Sequence, residues 1–101
     1  MGTRLELQQK LQDLIKSNHV YFQPPESIKI QYPCIIYELS GDDVVFANDN
    51  PYKRVKQYQV TYIDKNPDSR IPDELALWQM CRFNRYYTAD NLNHWVFFLY
   101  F

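Results

Sequence analysis

From Val55 to Asp64 the chain alternates residue by residue. Tyr58, Val60 and Tyr62 fall on one side of an extended strand, and Gln57, Gln59 and Thr61 fall on the other. Successive side chains of a strand point to opposite faces of its sheet. One face of this strand is therefore core, and the other is wet or touches a partner. A sheet with one apolar face needs a second layer to cover it, and the rest of the sequence supplies candidates.

Arg4 to Ser17 reads as an amphipathic helix. Leu7, Leu11, Leu14 and Ile15 recur at helical spacing, Gln8, Gln9, Lys10, Gln12 and Asp13 cover the other side, and Asn18 is the expected stop. Val20 to Gln23 reads as a short extended piece ended by Pro24-Pro25. Cys34 to Leu39 reads as a buried strand that breaks at Ser40-Gly41-Asp42-Asp43. Val44 to Pro51 then reads as an exposed loop or ragged hairpin arm. After the polar turn Asp64 to Ser69, Pro72 is expected to open a short helix reaching Gln79, with Asp73 and Glu74 in its first turn. Leu75, Trp78 and Met80 are expected to face the core. Two strands follow, Cys81 to Thr88 and His94 to Phe101, joined by an Asx-type turn over Ala89 to Asn93. The expectation is an α+β fold in the order α-β-β-α-β-β. It is a small, mainly antiparallel sheet packed against an N-terminal helix and a short second helix.

A chain of 101 residues makes one domain, 1–101. Its 11 Lys and Arg against 12 Asp and Glu leave a net charge of -1, which gives no general pull toward nucleic acid or anionic lipid. Its apolar runs are far too short to span a membrane. With only 2 glycines it has no Gly-rich phosphate loop. Aromatics reach 17%, more rings than one small core is expected to hide, so some are expected at contacts with other chains.

The residue types that carry chemistry do not converge. The turn from Asp64 offers oxygen ligands early, but Ser69 stands where a calcium loop needs Gly and Leu75 where it needs Glu. Cys34 and Cys81 are far apart in sequence, have apolar neighbours and read as free thiols; no zinc spacing exists. Asp90 and His94 could pair as carboxylate and base, but nothing ties either cysteine to that turn. Lys53, Arg54 and Lys56 beside Tyr52 and Tyr58 fit a solvated edge better than a nucleic-acid surface. No catalytic residue, metal ligand or cofactor is expected.

Four blocks carry a resemblance. They are Val20-Tyr21-Phe22-Gln23-Pro24-Pro25, Tyr32-Pro33-Cys34-Ile35-Ile36-Tyr37, Tyr58 through Ser69, and Tyr87-Thr88-Ala89-Asp90-Asn91-Leu92-Asn93-His94. Together they resemble the tail terminator or tail-completion (head-tail joining) proteins of tailed bacteriophages, over nearly the whole chain. Trp95 stands where that pattern has an acidic residue, so the hairpin tip is expected to differ locally. The resemblance implies a non-enzymatic virion protein of the neck, assembled in the bacterial cytoplasm. It implies a self-assembled ring, commonly a hexamer, on the head-proximal end of the tail tube. That ring would stop tube growth and dock the head connector. Its partners would be copies of itself, the major tail tube protein and a head-completion or connector protein, with DNA passing unread through the lumen. The alternatives are another neck layer (a portal adaptor or head-completion stopper) and a small phage protein acting on the host. Candidate inter-subunit or tail-tube residues are Tyr86, Trp95, Phe98, Tyr100, Asn91 and Asn93. Candidate lumen or loop contacts are Asp42, Asp43, Asp49, Gln57 and Gln59.

Overall fold

The computed structural model describes residues 3–25, 27–47 and 50–101, with backbone alone over 42–47 and 50–55. The described elements run α1 (Arg4–Ile15), β1 (Val20–Phe22), β2 (Cys34–Ala47), β3 (Asn50–Asp64), α2 (Ile71–Ala76), β4 (Cys81–Ala89) and β5 (Leu92–Tyr100). The strands form one five-stranded sheet in the order β1-β2-β3-β5-β4. Every neighbouring pair is antiparallel except β1 and β2. The expected α+β class holds, with β1 added to the sheet as a short parallel edge.

α1 starts on a capping box. The Thr3 side chain accepts from the Glu6 backbone N–H, and the Glu6 carboxylate accepts from the Thr3 backbone N–H. Leu7 and Leu11 are fully buried, with Leu14 and Ile15 packed beside them. The helix stops at Lys16, which takes a left-handed φ of 54°, two residues before the expected Asn18. α2 is shorter than expected. Pro72 is its second residue, and the helix ends at Ala76 instead of reaching Gln79.

Both helices cover one face of the sheet, here the helix face. Val20, Ile35, Tyr37, Tyr58, Val60, Tyr62, Phe97 and Leu99 form its core with Leu7, Leu11 and Leu75. The alternation in β3 is realised as expected: Tyr58, Val60 and Tyr62 are buried, and Gln57, Gln59 and Thr61 are half-buried. A second, smaller cluster of Cys34, Ile63 and Leu92 lies on the opposite, open face, where Ile30 from the β1–β2 connection packs over it.

Three expectations are corrected. β2 does not break at Ser40-Gly41. A bulge between Leu39 and Gly41 absorbs the irregularity and the ladder continues to Ala47, so the expected loop is a strand pair. Ser40 closes the bulge by donating its hydroxyl to the Gln57 carbonyl at 3.1 Å. The turn between β4 and β5 is two residues long, not five: Asp90 and Asn91 take φ of 53° and 63°, the left-handed pair that a tight hairpin requires. Met80 does not face the core. It sits at φ 66° and is exposed.

The β2–β3 pair reaches well past its neighbours. β1 meets β2 at residues 35–37, and β5 meets β3 from Gln57 to Asp64. Beyond Lys56, whose backbone exchanges hydrogen bonds with Phe101, the strands Gly41–Ala47 and Asn50–Lys56 form a two-stranded arm. At about 3.3 Å per residue its seven-residue strand extends about 23 Å. The molecule accordingly measures 50 × 27 × 23 Å.

Candidate assembly interface

β4 is the outer strand at one edge of the sheet. Cys81 at its start is half-buried, and every residue from Arg82 to Ala89 is exposed. On the helix face its Phe83 ring meets Phe97 edge-on at 5.4 Å, and Tyr86 lies 5.3 Å from Trp95. Phe83 and Tyr86 nevertheless remain 49% and 47% exposed. Leu77 and Met80, in the segment between α2 and β4, are 86% and 58% exposed. The two helix-face rings and these two side chains give the β4 side of the molecule a large share of its exposed apolar residues. Sequence reasoning missed both: Leu77 falls within the helix expected to reach Gln79, and Met80 is expected to face the core.

On the open face, β4 carries cations over rings. The Arg82 guanidinium lies 5.9 Å from the Phe98 ring, and Arg85 lies 5.3 Å from Tyr87. Tyr87 stacks on His94 at 4.6 Å with an interplanar angle of 9°. A bulge between Phe83 and Arg85 sets this pattern, because it places Arg85 and Tyr87 on the same face as Arg82. The arginines carried no signal in the sequence beyond their alternation with aromatics.

The sequence-nominated interface residues fall on both faces. Tyr86, Trp95 and Asn93 share the helix face; Phe98 and Tyr100 share the open face. Asn93 is buried. Its amide donates to the carbonyls of Asp64 and Lys65 at 3.1 and 3.2 Å, and its oxygen accepts from the Tyr86 hydroxyl at 2.5 Å. Asn93 therefore ties the hairpin to the end of β3. Asn91 is exposed at the hairpin turn.

Gln57 and Gln59 stand opposite Tyr100 and Phe98 in the β3–β5 register, and the Gln57 amide donates to the Tyr100 hydroxyl at 3.2 Å. The structure thus joins two groups that the sequence analysis kept apart. Asp42 and Asp43 lie in the arm opposite Lys56 and Val55; Asp49 lies outside the described residues.

The chemistry-bearing side chains are occupied structurally. Burial, followed by the nearby Asp64 charge, pushes the Cys34 thiol up to about 12; burial pushes Cys81 up to about 11. Both thiols are therefore protonated at neutral pH and poor nucleophiles. In the Asp64 turn, Asp64 Oδ1 accepts from the Asn66 N–H, and Asn66 Oδ1 accepts from the Asp68 N–H, each at 3.0 Å. Asp64 Oδ2 accepts from the Tyr62 hydroxyl at 2.6 Å. Among the described residues no three His, Cys, Asp or Glu side chains group to hold a metal ion, and no helix is long and apolar enough to cross a membrane.

No family model, no curated protein and no solved structure matches the chain.

Proposed function

We propose that the chain is a structural protein of the tailed-phage neck. It forms a ring at the head-proximal end of the tail tube, ends tube growth and joins the tail to the head connector. The residue blocks that resemble tail-completion proteins carry the phage assignment.

The observation that supports an assembly role is the unbalanced sheet. At one side stands a nine-residue edge strand with Phe83, Tyr86 and Tyr87 exposed; from the centre a two-stranded arm leaves the body. Such features are different surfaces on one molecule, as head-to-tail contacts require, and contacts of that kind close into rings when their rotation permits. Exposed aromatic edges left bare also promote aggregation, so a cover has a stability role as well.

The test is purification followed by electron microscopy and addition to polymerising tail tube protein. Rings that stop tube elongation support the terminator reading. Binding to filled heads without tails would move the protein to an adaptor or stopper layer. A monomer at every concentration would overturn ring assembly.

A further inference from the structure

We infer that the arm of one copy adds its β2 segment, Gly41–Ala47, to the free edge of β4 in the next copy. The inference rests on the ring reading and specifies the contact that closes it.

β4 presents nine residues on an edge that no described strand covers. Its main-chain groups on that side form a template for one further strand. The opposite edge of the sheet, β1, offers only three residues and runs into Gln23, at φ 43°, and Pro24-Pro25. A second copy's β1 is therefore a poor match for β4 in length.

The arm supplies two strands of suitable length. Gly41–Ala47 contains Asp42 and Asp43, no basic residue and no proline. Asn50–Lys56 contains Lys53, Arg54 and Lys56, and Pro51 removes one donor. β4 contains Arg82 and Arg85 and no acidic residue. Among the described residues these arginines contact rings and meet no carboxylate. Charge therefore selects the β2 segment as occupant and disfavours the β3 segment.

The same chain cannot make this contact. β5 and β3 separate β4 from β2 in the sheet, and the arm continues along β2 and β3 away from the body. A two-stranded ribbon is marginal alone in water, so docking on a third strand also stabilises the arm. Each copy gives one arm and receives one, and the contact propagates head to tail.

Charge reversal tests the pairing in the full chain by sedimentation velocity over a concentration series. D42K/D43K and R82E/R85E should each weaken assembly at least about tenfold, because one of the two successive Asp side chains shares the arginines' face and reversal sets like charges against each other there. The quadruple variant D42K/D43K/R82E/R85E should recover assembly to within about threefold of the wild type. Far-UV dichroism reports the fold of each variant. A further chain, with 42–55 replaced by Asn-Gly, should stay monomeric whatever the charge variants do. Rings that persist in both reversed variants or in the arm-less chain overturn the contact and leave the ring reading standing. A quadruple variant no better than its parents also overturns it. A wild type that never assembles overturns both.

Discussion

Tyr62 is the most exacting test of the packing described above. Its ring is 2% exposed and lies 5.6 Å from Trp95. Its hydroxyl donates to Asp64 Oδ2 at 2.6 Å and lies 3.1 Å from Ser69 Oγ. Tyr62→Ala removes the whole ring from the core and should cost about 3–5 kcal/mol. That is a fifth or more of the total stability of an ordinary domain of this size, about 5–15 kcal/mol. Tyr62→Phe keeps the ring and removes only the hydroxyl. Asp64 is half-buried and can take up water, so this change should cost about 1–2 kcal/mol. Gln59→Ala, on the other face of the same strand, should stay within about 0.5 kcal/mol. Urea unfolding at concentrations below assembly, followed by tryptophan fluorescence, measures all three as midpoint shifts at constant slope. The order Tyr62→Ala, Tyr62→Phe, Gln59→Ala is the expected result. Equal losses from Tyr62→Ala and Gln59→Ala would refute the assignment of core to the helix face.

Other outcomes follow from single features. Thr3→Ala removes the α1 cap and should cost about 1 kcal/mol in a dichroism-monitored melt. Asn91→Gly should stabilise the hairpin by about 0.5 kcal/mol, since φ 63° costs glycine nothing, whereas Asn91→Val should destabilise it by about 1–2 kcal/mol. Burial raises the ionisation of Cys34 from 9.0 to about 12, so the unfolded thiol releases its proton first. Its contribution to stability is therefore complete below pH 9 and lost as pH rises toward about 12; Cys34→Ala should flatten that alkaline decline in urea midpoints. For the same reason a thiol reagent at pH 8 should label Cys34 and Cys81 far more slowly in the folded chain than in urea, and equal rates would contradict their burial.

The central strand and the first helix were legible because their burial follows simple periods. Tyr58, Val60 and Tyr62 recur every second residue, and Leu7 and Leu11 recur at one helical turn. The arm was not legible because Ser40-Gly41-Asp42-Asp43 has turn composition. The ladder passes through it by a bulge, and a Cβ on Gly41 would come within 3.1 Å of Gln57 Oε1. Local residue preference cannot register such long-range strand pairing. The candidate interface was half legible. Ring abundance marked the β4–β5 hairpin, but the sequence could not tell Asn93, bound to Asp64 and Lys65, from the exposed Asn91. Which rings stay uncovered depends on how far two short helices reach across the sheet, and that is a tertiary property.

The strand order also governs how the chain matures during translation. β5 is made after β4 yet lies between β4 and β3. When β4 leaves the ribosome it has no neighbour to join, and β3 still lacks the partner for its residues 57–64. The nascent sheet therefore stops at β1-β2-β3 and stays open along Gln57–Asp64 until Leu92 to Tyr100 has been synthesised. The β4–β5 hairpin, closed by its two-residue turn, then docks as a unit. Completion of the core is thereby delayed to the end of synthesis of this segment.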